Sequence, residues 1–195
     1  ARSHSPVGRR HEGPSVTRDG IRVHLQANIE RSDDVASALA SGAEGIGLYR
    51  SEFLLSGGRP HLATEDEQFH EYRLVVERMA PHPVTIRTFD IDERQRAQPF
   101  GHGAVNAGWF PGACAEPAGS GGLRGIRFGL AQPVIFKAQL RALLRAGRLG
   151  ALRIVFPFVS SVDEVRAARA LLAEARAEPA APGIATTPLP VGVMI

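Results

Sequence analysis

The sequence predicts an α/β fold of about five βα units around a parallel sheet. Three observations carry this. Short apolar runs alternate with stretches whose apolar residues recur at helical period, and turn residues mark the boundaries between them. With 195 residues and 44% hydrophobic content, the chain also has enough apolar matter for one globular core.

Taken in order, Ile21 to Ile29 reads as the first strand. Ser32 is placed to cap a helix through Ser41, with Val35 and Leu39 on one face and Gly42 as the stop. Gly45 to Tyr49 follows as a buried strand. Thr64 with Glu67 three residues on forms a capping box, and Phe69, Tyr72, Val76 and Met79 repeat at the spacing of one apolar helix face. Pro81 and Pro83 end that helix, and Val84 to Phe89 is rich in β-branched and aromatic residues suited to a strand. Pro133 suits a first helical turn, with Phe136, Leu140, Leu143 and Leu144 on one side and Gly147 at the end. Leu152 to Phe158 is the next strand. The helix after it is boxed by Ser161 and Glu164 and runs through Val165, Ala168 and Leu172 toward Ala177. A Pro- and Ala-rich loop, Pro179 to Pro190, leads into a fifth strand, Val191 to Ile195.

Two segments break the pattern. Residues 1–17 read as a linker or tail, and 92–122 is a long run of Gly, Ala, Pro and Arg without periodicity, so the folded domain is 18–195 with a divergent loop inside it.

Composition narrows the function classes. The formal charge is +3, but basic residues are scattered among acidic ones rather than gathered in a stripe, which argues against nucleic acid. No run approaches the roughly 18 to 20 apolar residues of a membrane span, and the N-terminus lacks the apolar core of a signal peptide, so the expectation is a cytoplasmic protein. Cys114 is the one cysteine, which excludes an internal disulfide framework and a Cys-based zinc site. The histidines do not cluster, and Ser3-His4 sits in the tail, where nothing would bind the phosphate of a phosphohistidine.

Three arginines stand where chemistry is expected. Arg50 directly follows the apolar strand ending Gly47-Leu48-Tyr49, Arg87 lies within Val84 to Asp90, and Arg124 precedes Gly125-Ile126-Arg127. In a barrel of parallel strands the strand C-terminal ends face one mouth, and three guanidinium forks there suit a small polyanion, because the planar fork binds phosphate or carboxylate bidentately. The plainer reading is that each is a surface or ion-paired residue, although Arg87 is embedded in an apolar strand, where an unpaired charge is costly. Glu52, Asp90, Asp92 and Glu93 lie close by as ion-pair partners or, less readily, as metal ligands.

Several blocks also resemble a known family, in order. Gly42-Ala43-Glu44-Gly45-Ile46-Gly47-Leu48-Tyr49-Arg50-Ser51-Glu52-Phe53-Leu54-Leu55, Glu65 to Phe69 with Tyr72, and Ile86-Arg87-Thr88-Phe89-Asp90-Ile91 come first. Leu123 to Arg127, Gln139 to Ala146, Leu152 to Pro157 and Val191 to Ile195 follow. These are similar to enzyme I, the phosphoenolpyruvate-protein phosphotransferase family of the bacterial sugar phosphotransferase system. Pyruvate phosphate dikinases and phosphoenolpyruvate synthases share the barrel but resemble the chain less closely.

The resemblance implies an incomplete (β/α)8 TIM barrel, with about five of the eight βα units, that binds phosphoenolpyruvate and Mg²⁺. Arg50, Arg87 and Arg124 match its phosphate-binding arginines. It implies phosphoryl transfer to a histidine on a separate domain and on to the histidine phosphocarrier protein, and a homodimer at full length. No catalytic residue and no metal ligand carries over to this chain: the family's metal-binding glutamate follows the strand that ends here, and Cys114 does not match its acid-base cysteine. Asp92-Glu93-Arg94-Gln95 replace the family's two glycines, aspartate and lysine, through an insertion or an altered reading frame. The expectation is therefore a truncated domain, inactive alone, of a phosphotransferase. A non-catalytic remnant that binds phosphoenolpyruvate or a partner is the alternative.

Overall fold

The computed structural model describes residues 13–56, 63–91, 124–178 and 188–195. The first twelve residues, the divergent segment 92–122 with Cys114, and most of the loop before the last strand lie outside these. A short antiparallel hairpin, β1 (Ser15–Val16) and β2 (Arg22–Val23), comes first. Then follow β3 (Ala27–Ile29), α1 (Asp34–Ala40), β4 (Ile46–Arg50), α2 (Phe53–Ser56), α3 (Glu65–Met79) and β5 (Val84–Arg87). After the divergent segment come α4 (Ile126–Ala131), α5 (Pro133–Ala146), β6 (Leu152–Phe156), α6 (Val162–Ala177) and β7 (Val191–Val193).

Strands β3 to β7 form one five-stranded sheet in chain order, every neighbouring pair parallel. Parallel neighbours need crossover connections, and helices supply them. A doubly wound sheet would reverse its strand order part-way. Here each new strand adds on the same side, the progression of a singly wound barrel, and β3 and β7 are the edges of the sheet among the described residues. All C-terminal strand ends consequently lie along one side.

The apolar pattern is realised as packing. Ile46, Val84, Ile86, Ile154 and Phe156 from the strands are buried with Tyr72, Val76, Met79, Phe136, Leu140, Leu143, Ala168 and Leu172 from the helices, in one continuous core. Helix α3 packs on α5, and α5 on α6. Burial of such side chains contributes about 1.5–3 kcal/mol each relative to exposure. Both expected capping boxes are present: Thr64 accepts from the Glu67 amide and Ser161 from the Glu164 amide, with each glutamate returning to its cap. Gly42 ends α1 at φ 83°, a left-handed conformation that a side chain would resist.

Several expectations are corrected. The stretch read as one strand, Ile21 to Ile29, is divided between the hairpin and the sheet, and β1 begins within the stretch read as tail. Ser32 does not cap α1; its cap is Asp33, without a side-chain bond, while Asp34 Oδ2 accepts from the amides of Glu30 and Arg31. Ala38, not Leu39, joins Val35 in the core, because three residues rather than four bring it onto the covered face. The strands expected to reach Phe89 and Phe158 stop at Arg87 and Phe156, where the chain turns over the sheet edge.

Candidate functional site

Three sequence-predicted arginines meet at the C-terminal edge of the sheet. Arg50 and Arg87 are the last residues of β4 and β5 and are register partners across the two parallel strands, so their side chains leave the sheet on the same side. Arg124 approaches from the turn before α4. Glycine is required in that turn: Gly125 sits at φ 59°, and a Cβ there would stand 2.8 Å from the Pro157 carbonyl oxygen, which accepts the Ile126 amide at 2.9 Å. Arg124 is thereby held against the end of β6.

Carboxylates link the arginines into one line. Glu30, just past β3, accepts from Arg50 Nη1 at 2.6 Å, and Arg50 Nε reaches Glu52 Oε1 at 3.3 Å. The same Glu52 oxygen accepts from Arg87 Nη2. Arg87 Nη1 lies 3.2 Å from Asp90 Oδ2. Asp90 in turn takes both Arg124 Nε, at 3.1 Å, and Arg124 Nη2, at 3.3 Å. Charge thus alternates from one end to the other, Glu30, Arg50, Glu52, Arg87, Asp90, Arg124.

Burial grades along this line. Side chains of Arg87, Glu52 and Asp90 are only 9%, 3% and 3% exposed, whereas Arg50 and Arg124 are 37% and 47% exposed. The centre is a buried ion triad with a solvent-facing arginine on each flank. Each flanking guanidinium also lies over a ring, Arg50 4.7 Å from the centroid of Phe53 and Arg124 4.3 Å from that of Phe158. Phe158 adopts φ 52°, unusual for a non-glycine residue, in placing that ring. Arg87 Nε is buried without a hydrogen-bond partner among the described residues.

Behind the charges lies a buried polar hub. Gln139, fully buried on α5, accepts from the Phe89 amide at 3.0 Å and donates to Ser51 Oγ and Tyr72 Oη, both at 3.0 Å. Ser51 donates to the Arg87 carbonyl at 2.6 Å, and Tyr72 to Gln68 Oε1 at 3.3 Å. Burial pushes the Tyr72 phenol well above its usual pKa, so it remains a neutral hydrogen-bonding group.

The expected partner role of Glu52 and Asp90 is present, while Asp92 and Glu93 lie outside the described residues. Glu30, Phe53, Phe158 and Gln139 were not foreseen. Glu30 had a signal, since it follows the apolar run ending at Ile29 just as Arg50 follows the run ending at Tyr49; Gln139 had a weaker one, a single amide among apolar helix positions. Among the described residues no group of three or more His, Cys, Asp or Glu side chains is placed to hold a metal. No helix among them is long and apolar enough to cross a membrane.

Comparison with known proteins gives a consistent result. A family model described as "PEP-utilising enzyme, PEP-binding domain" matches residues 5–195. Phosphoenolpyruvate-protein phosphotransferases from Geobacillus stearothermophilus and Cupriavidus necator are 44% and 43% identical to the chain over 182 and 183 residues, 93% of the chain in each case. That from Bacillus subtilis (strain 168) is 40% identical over 183 residues. The chain spans only 29% to 30% of the length of these relatives. Their alignment and the ordered βα units, with arginines gathered at the strand ends, agree: the chain belongs to the family of PEP-utilising enzymes and forms part of their PEP-binding domain.

Proposed function

We propose that the full-length protein containing this chain transfers a phosphoryl group from phosphoenolpyruvate to a protein histidine, and that Arg50, Arg87 and Arg124 anchor the phosphate. The observation that carries this reading is the convergence of the three arginines, from distant points in the chain, on one strand-end line. Phosphoryl transfer depends chiefly on positioning and on stabilising charge at the transferring group, and fixed guanidinium donors provide both.

The carboxylates define how the site would accept its ligand. Arg124 is held by both oxygens of Asp90, the planar manner a phosphate would use, and Arg50 by one oxygen each of Glu30 and Glu52; both guanidiniums are partly exposed. A dianionic phosphate arriving at their exposed side would meet guanidinium groups already positioned, with Arg87 held between Glu52 and Asp90. With Glu30, Glu52 and Asp90 ionised, the line is balanced before binding, and an incoming dianion competes for donors rather than filling a bare positive hole.

The reading extends to the sugar phosphotransferase system, with the histidine phosphocarrier protein as acceptor, a homodimeric parent and a cytoplasmic setting. Magnesium would supply further charge stabilisation, and we propose that its ligands come from outside the described residues. The test is incubation of the full-length protein with phosphoenolpyruvate, Mg²⁺ and the phosphocarrier protein. Expected are pyruvate release and an acid-labile phosphohistidine, both lost in Arg87→Gln. Pyruvate release undiminished in Arg87→Gln, Arg50→Gln and Arg124→Gln would overturn the assignment.

A further inference from the structure

Gln139 and Ser51 carry no charge, yet the backbone segments after β4 and β5 are both bonded through them. Ser51 lies between Arg50 and Glu52 and donates to the carbonyl of Arg87. Gln139 binds the amide of Phe89, which lies between Arg87 and Asp90, and donates to Ser51. Four of the six charged residues therefore sit within two positions of a group that Gln139 or Ser51 holds.

The directions of these bonds are determined. A backbone amide can only donate, so the Gln139 oxygen faces Phe89 and its NH2 faces the hydroxyls. Each hydroxyl has one proton; that of Ser51 goes to the Arg87 carbonyl and that of Tyr72 to Gln68, so both oxygens are left to accept from Gln139. Any rotation of the amide would break all three of its bonds in a region closed to water, where a lost partner is costly.

We propose that Gln139 and Ser51 are positioning residues for phosphate recognition: together they lock the post-β4 and post-β5 segments so that Arg50 and Arg87 stay in register. This deepens the functional reading above and rests on it. The Tyr72 arm of the same hub points away, toward Gln68 and the Ala63 carbonyl, and serves the fold alone.

The test compares Ser51→Ala, Gln139→Met and Tyr72→Phe in the full-length protein, reading kcat and KM for phosphoenolpyruvate together with the melting temperature. Ser51→Ala and Gln139→Met are expected to raise KM by about tenfold, the equivalent of about 1.4 kcal/mol, with a smaller change in kcat. Ser51→Thr, which keeps the hydroxyl, should recover most of the affinity. Tyr72→Phe should lower the melting temperature and leave KM unchanged. A KM unmoved in Ser51→Ala and Gln139→Met, or moved equally in Tyr72→Phe, would overturn the proposal. If a variant fails to fold, the remaining one of the pair decides. Arg87→Gln separates the two readings: an unchanged KM there sinks the arginine assignment itself, whereas a large rise there with none in Ser51→Ala sinks only the positioning role.

Discussion

Two of the arginine-carboxylate networks among the described residues use the same chemistry in different settings. One is the strand-end line just described. The other staples helices on the outer surface: Arg141 pairs with Glu65 at 2.7 Å and Glu178 at 2.5 Å, Arg145 with Glu65 at 3.0 Å and Asp66 at 2.7 Å, and Lys137 with Glu178 at 2.6 Å. Its bonds are as short as those of the site. What differs is burial at the centre, with Arg87 9% exposed against 27% for Arg141, while the flanking Arg50 and Arg124 are themselves 37% and 47% exposed. Surface pairs gain little because water competes for both partners, whereas a buried charge has no substitute for the partner it loses. A count of salt bridges would rank the two networks together, and only their setting separates a staple from a site.

The largest effect expected from this contrast is at Arg87. Arg87→Gln leaves Glu52 and Asp90 buried with a counter-charge missing, and should cost about 3–5 kcal/mol in chemical denaturation while abolishing measurable phosphoenolpyruvate binding by calorimetry. Asp90→Asn should act next. It loosens Arg124 and removes one of the two partners of Arg87, which Glu52 still pairs, so a fall in ligand affinity of about tenfold is expected with a smaller stability loss. Arg141→Gln, on the helix face, should cost no more than about 1 kcal/mol, leave ligand affinity unchanged and lose its effect in high salt.

Acid titration gives the mildest contrast. Hydrogen bonds from Lys137 hold the Glu178 carboxyl below its ordinary 4.5, and the Ser160 amide does the same for Glu164. A carboxylate with a depressed folded pKa stabilises fully above its unfolded pKa and loses that contribution as pH falls through the folded value. The contributions of Glu178 and Glu164 should therefore weaken only below pH 4.5, the ordinary carboxyl value. Raising pH from there to neutrality should leave thermal stability flat in this respect, and Glu178→Gln should flatten the acid limb of a stability profile.

How much of this the residues disclose in advance follows from the range of each interaction. The helices at Thr64 and Ser161 announce themselves because a capping box is a local event spanning four residues. The parallel strands are legible as apolar runs between helices, and the three arginines as charges at strand ends. The hairpin was hidden because two-residue strands carry no periodicity. Helix α4, six residues opening on Gly125, is too short to show a face. The bonds of Gln139 were unreadable for a different reason. Its partners Ser51, Tyr72 and Phe89 lie 88, 67 and 50 positions away, and only the folded sheet brings them within reach. The same holds for the alternation of charge: Glu52 and Asp90 were visible, but which arginine each would meet was a property of strand register.

The central claim is that the strand-end network recognises phosphate and the helix-face network does not. The most direct measurement is phosphoenolpyruvate affinity, by calorimetry, for Arg87→Gln and Arg141→Gln in the full-length protein. The account predicts a loss of about a hundredfold or more in the first and a change within about twofold in the second. Comparable affinities for the two variants would contradict it.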